Sequence, residues 1–210
     1  MDVLVKALFW FTLALAYAIA EIEIEGKYGW SEKTQTWYRT FNHHRNSWFL
    51  KYIMGGKPLT GYHIPVFIIA FLISHAHFFM GIEWSLPKEL VALAIYTSWS
   101  PLWDNLWIIF NPYYGVENAN KSHIWWYSKT IWFFDLFPLE NMFQWILSIG
   151  FAYLAYFFAK DIALFTSHLI FMAYLLVFST LASLILAPLY MKWYRLMRRH
   201  DDRDKAGISH

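Results

Sequence analysis

Three ionisable side chains lie near the ends of three different apolar stretches of this chain, namely Asp104, Glu140 and His63. Ionisable groups inside a membrane are energetically costly and are therefore candidates for function. Two buried carboxylates that lie close together repel each other, so one of them keeps a proton near neutral pH while the other ionises. Such a pair can act as proton donor and proton acceptor, and a histidine beside it can relay the proton. We predict Asp104, Glu140 and His63 as catalytic residues.

A set of polar and aromatic side chains accompanies these three at helical spacing. Residues three or four positions apart share one face of a helix, and a polar face turns away from lipid, where its groups would lack hydrogen-bond partners. The face that contains Asp104 runs in steps of four, three and four from Ser100 to Asn111. The same spacing joins Glu140 to Gln144. We predict a ligand pocket made of Ser100, Asn105, Trp107, Asn111, Asn141, Gln144 and Glu21.

The first apolar stretch ends in three glutamates with different predicted surroundings. Glu21 lies four residues after Tyr17 and four before Glu25, so these three side chains share a face. We assign Glu21 to the pocket, with a position at the membrane interface as the alternative for Glu21 and Glu23, and we expect Glu25 to lie at the interface. The alternative for all of these polar groups is structural, since hydrogen bonds between transmembrane helices also fix packing.

Five apolar stretches have the length that a transmembrane helix needs, which is about 20 residues for roughly 30 Å of hydrocarbon. Lipid excludes unpaired backbone amides and so favours helices. Hydrophobic residues make up 58% of the 210 residues, and their clustering into such stretches excludes an ordinary soluble globular fold. We predict an all-α, polytopic transmembrane helical bundle of about five spans, with a single domain over 1–199 and a polar cytoplasmic tail over 200–210. The predicted spans are 3–24, 64–82, 90–110, 139–158 and 162–190.

Positive charge is distributed unevenly between the two sides of this pattern. Fourteen of the 17 Lys and Arg residues fall in the segments 25–62, 111–138 and 191–210, which alternate topology places on one side. The opposite side holds Lys88 and Lys160. Because Lys and Arg are retained in cytoplasmic loops, we predict that the amino terminus lies outside and the carboxyl terminus lies in the cytoplasm.

Aromatic residues make up 22% of the chain and concentrate in the two connecting segments 25–62 and 111–138. Amphipathic rings settle at headgroup depth, so we predict that these segments lie on the membrane as short helices or tight loops. The alternative is a lipid or isoprenoid pocket lined by rings. The residues concerned are Tyr28, Trp30, Trp37, Tyr38, Trp48, Tyr113, Tyr114, Trp125, Trp126, Tyr127 and Trp132.

Several site chemistries are excluded or disfavoured by the residues present. The chain has no cysteine, which excludes disulfides, cysteine-ligated zinc and iron–sulfur clusters. It has no phosphate-binding or dinucleotide-binding glycine motif and no nucleophile elbow. Its nine histidines form no H-E-x-x-H pair. We predict no cofactor and no metal site, while a single metal ion or haem stays open. A net charge of +2 disfavours nucleic acid as a partner.

Three runs of this sequence resemble a family of prokaryotic multi-pass membrane proteins that is known only as uncharacterised. The runs are EIEIEGKYGW at 21–30, GKPLTGYH at 56–63 and WDNLWIIFNPYYG at 103–115. The resemblance implies location in the cytoplasmic membrane of a prokaryote, and it implies no activity.

A fourth run, PLENMFQW at 138–145, is similar to the P-x-E-rich helix of the small membrane lycopene cyclases. This similarity implies proton-initiated cyclisation of a polyene by carboxylates inside a membrane. Only Glu140 maps onto the motif, because the second carboxylate often found there is Asn141 in this chain.

Two functions follow from these observations. The first is an acid–base isomerase or cyclase that acts on a lipid or isoprenoid in a polar pocket on the cytoplasmic side. The second is a non-catalytic subunit of a membrane complex that packs against partner helices or pigments. The expected partners are membrane lipids, an apolar or isoprenoid ligand and partner membrane subunits.

Overall fold

The computed structural model of the protein describes residues 2–27, 29, 61–124, 131–134 and 137–199. Within them the chain is a bundle of α-helices, as the sequence predicts. A 3₁₀ turn at Val116–Asn118 and a two-residue antiparallel ladder between β1 (Trp132–Phe133) and β2 (Phe137–Pro138) lie in the connection before α4. The helices are α1 (Val3–Glu25), α2 (His63–Phe79), α3 (Leu86–Phe110), α4 (Leu139–Ala159), α5 (Ile162–Leu181) and α6 (Ala187–Arg199).

Local chemistry explains where several helices begin and end. Asp2 and Asp161 precede α1 and α5, and each side chain accepts a hydrogen bond at 3.0 Å from the backbone N–H two residues later. Such caps satisfy amide groups that have no partner within the helix. Gly26 ends α1 with a φ of 59°, and its N–H donates to the carbonyl of Ile22 at 2.8 Å. A left-handed residue, Lys160, with a φ of 58°, ends α4.

Helix α3 lies at the centre of the bundle, with α1, α2, α4, α5 and α6 packed around it. Trp99, Trp103, Leu106 and Phe110 are fully buried along it. The helix begins at Leu86, four residues before the predicted span, and it continues through its internal proline. Because neighbouring helices surround α3, its polar residues need not face lipid.

Three helices of the described chain are long and apolar enough to cross a membrane, namely Val3–Glu25, Leu139–Ala159 and the continuous helix Ile162–Arg199. Helix α2 is also apolar but has only 17 residues. Helix α3 has the length but carries polar residues that lower its mean hydropathy. The predicted all-α class is therefore confirmed, while the five-span count stays a prediction.

The last helix continues beyond the predicted span 162–190. It runs for 38 residues to Arg199, with a π-helical turn at Ala182–Leu186 between α5 and α6. At 1.5 Å per residue this corresponds to about 57 Å, almost twice the hydrocarbon thickness. The span prediction ended earlier because the residues of α6 alternate between apolar and basic, so hydropathy falls while helical structure continues.

The aromatic-rich connections are described only in part. Tyr114 packs against Trp107 with ring centroids 5.4 Å apart, and its hydroxyl donates to the carbonyl of Lys27 at 3.0 Å. Tyr113 is exposed and Trp132 is half-buried in β1. The tail 200–210 lies outside the described residues, as do Tyr28, Trp30, Trp37, Tyr38, Trp48, Trp125, Trp126 and Tyr127.

Candidate functional site

A polar cleft lies where α1 ends, α2 begins and α3 approaches its last turns. About 350 Å³ around it is free of protein atoms, part of which is open to the outside. The enclosed part is large enough for one or two waters. The described lining consists of Glu21, Glu25, Tyr62, His63, Phe67, Trp103, Asp104 and Trp107.

Glu25 joins two side chains from the start of α2. The hydroxyl of Tyr62 donates a hydrogen bond to Oε1 of Glu25, and Nε2 of His63 lies 3.9 Å from the same oxygen. Glu25 and His63 are both buried. The rings of Tyr62 and His63 are themselves in contact, with centroids 4.2 Å apart. One buried carboxyl oxygen therefore accepts from a phenol and also faces an imidazole, which lies beyond direct hydrogen-bond distance.

Glu21 lies one turn before Glu25 on the same face of α1, and its partner comes from α3. Nε1 of Trp103 donates to Oε2 of Glu21 at 2.8 Å, and both residues are buried. The Trp103 ring contacts Tyr17 and Phe67, with centroids 5.4 and 5.8 Å away. Packing thus holds the indole in place as a hydrogen-bond donor to the buried Glu21 carboxyl.

Asp104 follows Trp103 on α3 and contributes a third carboxyl to the lining. The described lining contains three carboxyl groups, one imidazole and one phenol, and it contains no lysine or arginine. Its remaining members are aromatic rings. Such a lining favours protons and cationic groups over anions, because the rings present the negative face of their quadrupoles.

Asn111 positions the helices around the cleft without lining it. Its Nδ2 donates to the carbonyl of Gly26 at 2.8 Å, and its Oδ1 accepts from the N–H of Tyr113 at 3.0 Å. The side chain is fully buried. It therefore ties the end of α1 to the end of α3, which keeps Glu21 and Glu25 level with Trp103 and Asp104.

Only some of the residues that the sequence predicts for the site line the cleft. His63, Asp104, Glu21 and Trp107 line the cleft together. The predicted pairing of Asp104 with Glu140 stays a prediction. Five further predicted residues lie outside the lining, like Asn111: Ser100, Asn105, Glu140, Asn141 and Gln144.

Helix α4, which carries Glu140, packs on α3 through contacts of its own. Trp145 Nε1 donates to the carbonyl of Ser98 at 3.2 Å, and Ser148 Oγ donates to that of Ala94 at 2.7 Å. Asn141 is buried on this helix, and within the described chain neither polar atom of its amide has a hydrogen-bond partner. Asn105, on α3, donates to the carbonyl of Pro101 in its own helix at 2.7 Å.

The burial of Glu25 is a feature that the sequence pattern did not predict. Glu25 is buried against protein and accepts the Tyr62 hydrogen bond, so its side chain does not extend freely outward, while its depth at the membrane interface stays a prediction. The signal was available, since Glu25 lies four residues after Glu21 on one face. Glu23, two residues before Glu25, is exposed and forms an ion pair with Arg198.

Two other polar networks occur away from the cleft. Nε2 of His75 lies 3.0 Å from Oε1 of Glu89, whose other oxygen accepts from Trp84 Nε1 at 3.0 Å. Nε2 of His168 lies 2.7 Å from Oγ of Ser148, deep between α4 and α5. Sequence patterns predicted neither network, because each joins residues of different helices at no regular spacing.

Metal binding has no arranged set of ligands in the described part of the chain. No group of three or more His, Asp or Glu side chains there has a geometry that could hold a metal ion. Nε2 of His63 lies near Glu25, and Nε2 of His75 lies near Glu89.

Comparison of the chain with models of protein families, with curated proteins and with solved structures gives no match. The resemblances carried by the runs at 21–30, 56–63, 103–115 and 138–145 therefore stay predictions. The residues of the cleft themselves are the basis for a proposal about function.

Proposed function

We propose that the protein is a polytopic integral membrane protein whose cleft carries out acid–base chemistry on the reactive end of a lipid or isoprenoid. The observation that carries the proposal is the arrangement of Tyr62 and His63 around one oxygen of the buried Glu25. Buried ionisable groups are costly in a membrane, and groups retained there in mutual contact are typical of functional sites.

The membrane location is supported by the apolar surface of the helices. Large apolar side chains such as Phe143, Ile146 and Phe157 on α4 and Leu176 on α5 are 46–61% exposed. A water-soluble monomer rarely exposes contiguous apolar surface of this extent, whereas lipid accepts it. Helices α2 and α3 complete the five proposed spans. The Lys and Arg distribution supports a position of the cleft at the cytoplasmic side.

The proposed chemistry is the addition and removal of a proton at carbon. A carboxylic acid of the cleft donates a proton to one carbon of a double bond, and the adjacent carbon becomes cationic. A carboxylate or the His63 imidazole then accepts a proton from a neighbouring carbon, and the double bond re-forms at a new position. The rings of Trp103, Trp107 and Phe67 stabilise the cation between the two steps. The proton count is unchanged, so no oxidant or reductant is required.

The size of the cleft favours a substrate with a small reactive end. Space for one or two waters admits the tip of a chain and not a whole polyene. The remainder of the molecule would then lie beside α2, which packs chiefly against α3 and exposes Ile68, Ile69 and Leu72. A lipid or isoprenoid with its long chain in the bilayer meets both conditions.

The test replaces Glu25→Gln and His63→Gln separately in the protein's own host and measures the membrane lipids by mass spectrometry. General acid–base groups contribute about 10²–10⁴-fold to rate, so a lipid product present with the wild type should fall and its precursor should accumulate. Glu117→Gln, an exposed site in the 3₁₀ turn, is the matched control and should leave the profile unchanged. Identical lipid profiles for the wild type and both cleft variants would contradict the enzyme proposal.

The second candidate is a non-catalytic subunit of a membrane complex. The exposed apolar faces of α4 and α5 favour it, because they would fit partner helices as well as lipid. Purification from native membranes in mild detergent distinguishes the two. Stoichiometric partner subunits together with an unchanged lipid profile in Glu25→Gln would favour the second candidate.

A further inference from the structure

The surface of helix α6 has three faces of different character. One face packs against the bundle: Ala187 and Tyr194 are buried, and the guanidinium of Arg198 lies 4.8 Å above the Tyr194 ring while it pairs with Glu23. At 100° per residue the rest of the helix circumference separates into two exposed faces. The basic face carries Lys192, Arg195 and Arg199, and the apolar face carries Leu189, Trp193, Leu196 and Met197.

The level of α6 in the bundle follows from its contact with α1. Glu23 lies two residues before the end of α1, a helix long and apolar enough to cross a membrane. The pair between Arg198 and Glu23 therefore places the end of α6 near the end of that helix. Arg195 reaches the carbonyl of Pro112, just past the end of α3, at 3.4 Å. With α1 crossing the membrane as proposed, helix α6 then lies at the boundary between hydrocarbon and headgroups.

The two exposed faces fit a single environment at this level. Leu189 and Trp193 are 61% and 53% exposed. In water this exposure would leave a large apolar face in contact with solvent. At the membrane boundary the apolar face meets acyl chains, and three basic side chains on the next face meet headgroups. Basic clusters beside the cytoplasmic end of a transmembrane helix attract anionic lipid at about 1 kcal/mol per residue, equivalent to roughly fivefold in affinity.

We infer that α6 is a binding surface for anionic phospholipid of the inner leaflet, held by Lys192, Arg195 and Arg199 with acyl chains against Leu189 and Trp193. This inference rests on the membrane location in the proposed function and is independent of the chemistry in the cleft. Arg198 is not part of the surface, because it is engaged with Glu23 and Tyr194.

The experiment uses the full chain in nanodiscs of mixed phosphatidylcholine and phosphatidylglycerol. After partial delipidation in detergent, the ratio of the two lipids retained on the protein is measured by native mass spectrometry. The wild type should retain phosphatidylglycerol several-fold above its share in the bilayer. The triple variant Lys192→Gln/Arg195→Gln/Arg199→Gln should lose this enrichment. The control Lys88→Gln/Lys160→Gln removes two exposed charges at the opposite end of the bundle and should keep it.

A variant that removes a single charge and a measurement of salt dependence also test the inference. Lys192→Gln alone removes one exposed charge, and it should lower the enrichment by part of the loss seen in the triple variant, by at most about fivefold. Raising the salt concentration should reduce the enrichment of the wild type, because exposed charges are screened. Equal lipid ratios for the wild type and Lys192→Gln, or an equal loss in the control, would overturn the inference. Release of the wild-type chain from membranes by alkaline carbonate would instead refute the membrane location on which the proposed function rests.

Discussion

Nε2 of His63 lies 3.9 Å from Oε1 of Glu25, although the two residues belong to different helices and neither is exposed. The Tyr62 hydroxyl donates to the same oxygen. This relationship ties the start of α2 to the end of α1, and it sets the geometry of the cleft.

We expect Glu25 and His63 to be energetically coupled. In a double-mutant cycle with Glu25→Gln and His63→Gln, contacting buried groups should show a coupling free energy of about 0.5–3 kcal/mol. The measurement is thermal or denaturant unfolding of the four proteins in one detergent. A cycle between Glu117→Gln and His63→Gln serves as the control and should be additive. If the effects of Glu25→Gln and His63→Gln are additive, the two side chains do not interact, and the proposed site loses its central contact.

Trp103→Phe should destabilise the bundle through Glu21. The substitution keeps an aromatic ring against Tyr17 and Phe67 and removes the indole N–H that donates to Glu21. Loss of the donor to a buried carboxyl costs about 1–3 kcal/mol. The melting temperature in detergent should therefore fall for Trp103→Phe and stay close to the wild type for Trp193→Phe, whose ring is exposed. Equal melting temperatures would show that the hydrogen bond contributes nothing.

Ser148→Ala should weaken the contact among α3, α4 and α5. Ser148 Oγ donates to the carbonyl of Ala94 and lies 2.7 Å from Nε2 of His168, so its removal leaves two buried polar groups without this partner. We expect a loss of about 1–3 kcal/mol in unfolding free energy. Ser122→Ala, in an exposed turn, is the matched control. If Ser148→Ala and Ser122→Ala unfold at the same denaturant concentration, the Ser148 hydrogen bonds do not stabilise this contact.

Gly26→Ala should be destabilising although nothing crowds the position. No heavy atom lies within 4 Å of the place that the alanine methyl group would occupy, but the φ of 59° disfavours any residue with a side chain, at a cost of about 1–2 kcal/mol. Gly150→Ala has the same open space within helix α4 and an ordinary φ, so it should be neutral or stabilising by up to about 1 kcal/mol. The measurement is the unfolding free energy of the two alanine variants. Both positions have open space, so a difference between the variants reports backbone strain and not packing. A stable Gly26→Ala variant would contradict the left-handed end of α1.

The charge distribution predicts the orientation, and the absence of cysteine makes it measurable. Glu83 and Glu117 are exposed in connections at opposite ends of the bundle. In intact cells, a membrane-impermeant thiol reagent should label Glu83→Cys and should not label Glu117→Cys until the membrane is permeabilised. The reverse labelling pattern would invert the topology and place the cleft on the outside.

The sequence by itself determined the features that depend on neighbouring residues. Hydropathy over about 20 residues identifies the apolar stretches, and the helices start or end within a few residues of most of them because backbone hydrogen bonding is local. Helical spacing also placed Glu21 and Glu25 on one face and Asp104 in line with Trp107. Hydropathy missed the extension to Arg199, since an amphipathic helix end lowers mean hydropathy without breaking the helix.

Tertiary structure decided which polar groups meet. Trp103 and Glu21 are 82 residues apart, and Tyr62 and Glu25 are 37 apart. Contacts at such separations depend on how each helix is rotated about its axis and on which neighbour it packs against, and no spacing rule within one helix contains that information. The rotation of α1 buries Glu25 beside α2, whereas two residues earlier the same helix turns Glu23 outward to Arg198. Packing of large side chains, above all the buried Trp99 and Trp103 of α3, sets that rotation.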